Sequence, residues 1–229
     1  MLGLPLETPI HPICPEAQDP QPGELLEGVV FDLVHLPDSP GVTGHRPGAI
    51  TLDLREVDDT YREQVRIGLG EPQRTVLGHL RHEVGHHYWR VLVEAPGHHA
   101  RFRTLFGDER VDYESALDAH YRRPNGPAPA SHITHYATSH PAEDWADTFA
   151  HYLAIRDSLE AVDADTTRSD PGDPTRASNP GRSWVERWRA LSKQVNAVSA
   201  GLGHPPPYPY RITEPVSQKL RYIHDRVLA

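Results

Sequence analysis

Apolar residues recur at intervals of three and four in four stretches of the chain, the spacing that lines one face of a helix. Leu77, Leu80, Val84, Tyr88 and Val91 predict a helix over 77–93. Trp145, Phe149 and Leu153, helped by Tyr152 and Ile155, predict another that opens at Pro141, a residue suited to the first helical turn. Trp184, Trp188, Leu191, Val195 and Val198 mark a third over 184–202, and Val216, Leu220, Ile223 and Val227 a fourth over 214–228. Two less apolar helices are expected at 58–69, ended by Gly70-Glu71-Pro72, and at 108–122. Pro72 would then fall in the first turn of the 77–93 helix, and Phe102, Leu105 and Phe106 would form a short apolar turn.

Two β-branched and aromatic runs, 28–36 and 48–54, flank the turn-rich stretch Pro37 to Gly48 and predict a hairpin or small antiparallel sheet. The proline-rich residues 1–24 read as an extended lead-in, and 162–183, which carries charge, Pro and Gly without apolar periodicity, as a flexible loop. The segment HPPPYPY is expected to lie extended against the body through Tyr208 and Tyr210. The expected fold is α+β: a small antiparallel sheet with a mainly helical remainder, in a single domain over 25–229.

Composition narrows the function classes. The chain has 229 residues, 37% of them hydrophobic and 24% charged, with 23 prolines, which describes a globular protein with much loop. A net charge of −9 without any long basic run argues against a nucleic-acid partner. No stretch approaches the ~20 apolar residues of a membrane span, and the N-terminus has neither the basic start nor the apolar core of a signal peptide. A cytoplasmic location is expected. Cys14 is the single cysteine, so an intrachain disulfide and a thiolate-built metal site are excluded, and any metal must be held by His and carboxylate.

The 77–93 helix carries such a set. His82 and His86 are four apart and share one face, so their imidazoles can converge on one ion, with Glu83 beside them. This is the zincin pattern, in which Zn²⁺ takes two neutral imidazoles and the intervening carboxylate serves as general base toward a water. Gly78 and Gly85 fall on a face where they would let another backbone come close. Two histidines leave zinc one protein ligand short. The metzincin solution, a third His six residues after the second, is excluded because Leu92 stands there and Trp89 replaces the expected glycine.

The other common solution is a glutamate from a later helix, followed four residues on by an Asp that steadies a ligating His; Glu143 and Asp147 fit it. They lie one turn apart on one face, about 6 Å along the axis. His151 extends the same row but sits about 12 Å from Glu143, too far to share its ion, and is read as a packing or substrate-side residue. Tyr136 and His140, just upstream of Glu143, are candidates for stabilising an oxyanion. His45 is placed in a solvent-exposed loop, and 49–54 is the candidate edge strand for pairing with an extended peptide. Asp144 and the histidines at 98, 99, 120, 132, 135 and 140 are weaker ligand candidates.

The segments LRHEVGHHYW, FGDERVDYESALDAHY and SHPAEDWADTFAHYL, with TGHRPGAITLDLREVDD, GEPQRTVLGH and YPYRITEPVSQKLRYIHD, resemble a bacterial family of zinc-binding metallopeptidases often found with an N-terminal zinc ribbon. The chain lacks the ribbon's cysteine pairs. The resemblance covers most of the chain from about Gly28 and implies a gluzincin-like domain with one Zn²⁺ per chain and a peptide or protein substrate. A dedicated regulatory protease with one protein substrate, or a catalytically silent zinc-containing scaffold, are the competing readings. The intact Glu83 argues against the scaffold, because a structural site gains nothing from a general base.

Overall fold

The computed structural model describes residues 29–35, 44–46, 49–123, 126–169 and 183–229. The expected lead-in over 1–24 lies outside these residues, as does 170–182 within the expected loop. Three strands and seven α-helices are present among the described residues. The strands are β1 (Val30–Val34), β2 (Gly44–Arg46) and β3 (Ala49–Asp53), in the spatial order β1-β3-β2.

The sheet is mixed, which corrects the antiparallel expectation. β2 and β3 form the antiparallel pair, with Arg46 opposite Ala49, whereas β1 runs parallel to β3, with Val30 opposite Ala49. The physical reason is a third strand inside the stretch read as turn: the chain reverses twice between β1 and β3, so those two run the same way. Two further expectations change with it. His45 lies on β2 rather than in a loop, opposite Ile50. β3 is central, so its backbone is paired on both sides and 49–54 is not a free edge for a substrate strand.

After β3 a 3₁₀ turn (Leu54–Val57) leads into α1 (Asp59–Leu69). Asp58 caps α1 by accepting the Tyr61 N–H, and Gly70 ends it at φ 66°, a left-handed conformation that glycine adopts without strain. α2 (Val76–Trp89) begins later than Pro72 suggested, because Thr75 caps it by accepting the Gly78 N–H at 2.9 Å. It passes into a π-helical turn (Arg90–Glu94). The two-turn helix α3 (His99–Phe106) replaces the expected short apolar turn, and α4 (Tyr113–Tyr121), capped by Asp112, is shorter than 108–122.

α5 (Pro141–Ser169) is the longest helix and runs past position 162, so the first part of the expected flexible loop is helical. α6 (Trp184–Gly201) starts in a capping box formed by Ser183 and Glu186, and α7 (Glu214–Val227) starts with Thr213 as cap. None of the described helices is long and apolar enough to cross a membrane.

The core is built round α5. Trp145, Phe149, Tyr152 and Ile155 are wholly buried, a stripe at helical spacing. α2 adds Tyr88, whose ring stacks on Phe149 at 5.4 Å. α3 adds Phe102 and Phe106, α6 adds Trp188, and α7 adds Val216, Leu220 and Ile223. Leu77, placed on the buried stripe of α2 by periodicity, is instead exposed. Tyr208 is buried against Trp188 and Tyr210 packs on the same cluster, as the extended HPPPYPY segment predicts.

Candidate metal centre

α2 and α5 cross in close contact at Gly85. A Cβ there would lie 3.0 Å from the Cα of Ala146 and 3.1 Å from its carbonyl oxygen, so only glycine permits this approach. The Trp145 indole N–H donates to the Gly85 carbonyl at 2.9 Å and locks the crossing. His82 and His86 lie within one turn on one side of this contact, and Glu143 and Asp147 on the other.

His82 Nε2 stands 3.1 Å from Glu143 Oε2 and 3.2 Å from His86 Nε2, and His86 Nε2 stands 3.4 Å from Glu143 Oε1. Among the described residues these three make the one cluster of His, Cys, Asp or Glu able to hold a metal ion. The separations test the fit. Tetrahedral bonds of about 2.0–2.1 Å put neighbouring ligand atoms about 3.3 Å apart; the two imidazole nitrogens stand 3.2 Å apart, and each has a different oxygen of Glu143 at 3.1 or 3.4 Å. The site fits zinc in donor chemistry, and one ligand atom from each residue lies within 4.8 Å of the others.

His82 Nδ1 lies 2.7 Å from Asp147 Oδ1. With the Nδ1 proton donated there, Nε2 is the nitrogen turned toward Glu143 and His86, and loss of its own proton would make it the ligating atom. Asp147 is itself oriented: its second oxygen accepts from the Thr134 hydroxyl, which accepts the Ala137 N–H at 2.9 Å. Burial disfavours the charged form of His82, but the Asp147 and Glu143 carboxylates outweigh it and raise its pKa well above the ordinary range. Burial likewise opposes ionisation of Glu143, and the hydrogen bonds with His82 and His86 reverse this and hold it well below the usual carboxylate range.

Glu83 is buried beside the cluster, its Oε1 3.3 Å from His79 Nε2. Burial raises its pKa, but the His79 contact and the charges of His82 and His86 more than offset that, so its pKa is lowered from the ordinary carboxylate value. The Tyr113 hydroxyl donates to Glu143 Oε1 at 2.7 Å, and the Tyr136 ring lies 6.0 Å from that of His82. Burial and the Glu143 charge push both phenols far up, so each keeps its proton as a donor.

His140 does not fill the role expected of it. Its Nε2 donates to the Val111 carbonyl at 3.0 Å and its Nδ1 accepts the Ala142 N–H at 3.1 Å, so both nitrogens are spent capping α5 and tying it to the loop before α4. His151 is a packing residue: the Tyr208 hydroxyl meets its Nδ1 at 3.1 Å and the Tyr210 ring lies 4.3 Å away. Asp144 points away from the cluster and accepts from the buried Lys219 ammonium.

Sequence reasoning missed Tyr113, Thr134 and His79. The first two act from segments 30 and 13 residues before their partners. His79 did carry a signal, standing four residues before Glu83 on the same helix.

A helical scaffold that brings two histidines of one helix and a glutamate of another into one cluster, with a carboxylate between the histidines in sequence, defines a candidate metallohydrolase centre. The chain belongs to the family described as "Putative zinc-binding metallo-peptidase", which it matches over residues 10–226. It is also similar to uncharacterized proteins of Mycobacterium bovis and Mycobacterium tuberculosis, 41% identical over 226 residues and 94% of this chain. The chain spans 63% of the length of those relatives. No solved structure matches it.

Proposed function

We propose that the protein is a zinc-dependent peptidase of zincin type that hydrolyses peptide bonds in peptides or proteins in the cytoplasm. The observation that carries this reading is the convergence of His82, His86 and Glu143 with the buried Glu83 alongside. His82, His86 and Glu143 would hold one Zn²⁺, and Asp147 keeps the His82 ring in the ligating tautomer. Zinc held there supplies a Lewis acid that polarises a water and the peptide carbonyl. Glu83 accepts a proton from the attacking water and delivers it to the leaving amide nitrogen. The Tyr113 hydroxyl is committed to Glu143, which leaves the protonated hydroxyl of Tyr136, whose ring lies 6.0 Å from that of His82, as the donor to the carbonyl oxygen as it gains charge.

The test is digestion of a mixed peptide library by the zinc-loaded protein, with and without chelator. Glu83→Gln is expected to keep one zinc per chain and lose hydrolysis by a factor of roughly 10²–10⁴, the range for a general base. Full hydrolysis by that variant, or hydrolysis indifferent to chelation, overturns the reading. Glu143→Ala retaining one tightly held zinc would remove Glu143 from the ligand set.

A further inference from the structure

Glu83 is one end of a buried chain of polar groups that begins beyond the metal cluster. Glu56, in the 3₁₀ turn that follows β3, is 6% exposed, and its carboxylate accepts from the Arg74 guanidinium. Glu56 Oε1 and Oε2 lie 3.0 and 3.1 Å from His79 Nδ1. The other ring nitrogen of His79 faces Glu83, four residues along the same helix. His79 therefore stands between two carboxylates, one from the sheet side of the fold and one from the metal side.

The geometry decides where its protons are. A lone pair on Nε2 would face the lone pairs of a carboxylate oxygen at 3.3 Å, so Nε2 is the nitrogen placed to carry a hydrogen toward Glu83. Nδ1 has two neighbours, the Glu56 carboxylate and the Arg74 guanidinium at 3.1 Å. Whether Nδ1 donates to Glu56 or accepts from Arg74, Nε2–H is retained. Burial works against a charged His79, and the two carboxylates more than make up for it, leaving its pKa raised.

We propose that His79 is a positioning residue for the general base: its Nε2–H holds Glu83 Oε1, with Glu56 and Arg74 anchoring its far side. Glu83 is then fixed in one orientation, and its second oxygen is left for the reacting water. Without this contact the carboxylate is free to take other staggered positions and spends less time within reach of the proton. The catalytic consequence rests on the peptidase reading; the hydrogen bond itself does not.

Two measurements on the full zinc-loaded chain test it. In long-range ¹H–¹⁵N spectra, with His79 assigned by its loss in His79→Gln, Nε2 is expected as a protonated nitrogen whose signal moves in Glu83→Gln. An unprotonated Nε2, or a signal indifferent to Glu83→Gln, overturns the proposal. In peptide hydrolysis, His79→Leu is expected to lower kcat roughly 10–100-fold, as losing a supporting hydrogen bond at a metal site does, with KM and zinc content unchanged. His79→Gln, whose amide N–H can still reach Glu83, should recover most of that loss. A wild-type kcat in His79→Leu, or a Gln variant no better than Leu, overturns it. A wild type that hydrolyses no peptide overturns the peptidase reading instead, and the nitrogen spectrum then decides the hydrogen bond by itself.

Discussion

Gly85→Ala should damage the metal centre without touching a single ligand. The added Cβ would meet Ala146 Cα at 3.0 Å, Ala146 O at 3.1 Å and Phe149 Cβ at 3.3 Å. Ordinary carbon contacts are about 3.5–4.0 Å, and two of these three atoms are backbone that cannot rotate aside. The helices must part by about half an ångström. Overpacking of this kind costs about 1–3 kcal/mol, against a gain of about 1 kcal/mol from alanine's better helix propensity. The net loss of stability is therefore at most about 2 kcal/mol, and the protein still folds. Metal bonds tolerate only about 0.2 Å, so Glu143 and Asp147, on either side of Ala146, should drift out of register with His82 and His86. Zinc affinity, read by competition with a chromophoric chelator, should fall at least about tenfold. Urea denaturation of the metal-free protein reads the stability loss separately. Gly68→Ala is the control, because nothing lies within 4 Å of its added carbon, and it should leave zinc binding unchanged. A Gly85→Ala variant that binds zinc as tightly as the wild type would refute the claim that this crossing sets the ligand geometry.

Three further outcomes are expected. Asp147→Asn should weaken zinc binding about 10–100-fold, because the ordering of the His82 proton depends on the carboxylate 2.7 Å away; unchanged affinity by chelator competition would count against that role. Lys219→Met leaves Asp144 buried without its cation and should cost about 3–5 kcal/mol in urea denaturation. Lys219→Met with Asp144→Leu should recover much of this, since the double variant removes both charges and, among the described residues, Lys219 Nζ otherwise donates to the Ser131 carbonyl at 2.6 Å; an additive double variant would refute the pairing. Burial pushes the His151 pKa down to about 4 from 6.5. The unfolded chain therefore binds the extra proton first, and the stability His151 contributes is complete above pH ~6.5 and lost as pH falls toward ~4, by about 3 kcal/mol. In chelated protein, His151→Phe should flatten that acid limb, and an equally steep limb in both proteins would refute the assignment.

Periodicity carried the reading where one element decides the outcome. The buried stripe Trp145, Phe149, Tyr152 and Ile155 is a property of α5 alone, and it is wholly buried. The His82-His86 spacing and the Glu143-Asp147 spacing are likewise properties of single helices, and both pairs meet at the cluster. The reading failed where pairing between segments decides. Nothing in the run 28–36 shows that a third strand will come between it and 48–54 in sequence, so β1 was expected antiparallel to β3 and runs parallel. His140 stands next to a helix start that suits a catalytic donor, but its nitrogens were already committed to Val111 and Ala142, and the first of these partners is 29 residues away.

The same distinction explains how the centre is built. Two histidines four apart supply a pair of donors in any helix, so α2 alone specifies little beyond a weak site. Its specificity comes from contacts that converge on it: Gly85 lets α5 approach, Asp147 orders His82, Tyr113 holds Glu143, and His79 holds Glu83. Asp147, Tyr113 and His79 each reach a different residue of the centre, Gly85 acts through the helix crossing, and three of the four contacts cross between elements. A variant that keeps all three ligands but loses one such contact should therefore bind or turn over poorly in a manner specific to the atom released. Zinc affinity should fall with Gly85 or Asp147, whereas kcat should fall at constant zinc content with His79. If all four variants instead lost zinc to the same extent, the centre would be a single cooperative unit, and the separate roles argued for these residues would not hold.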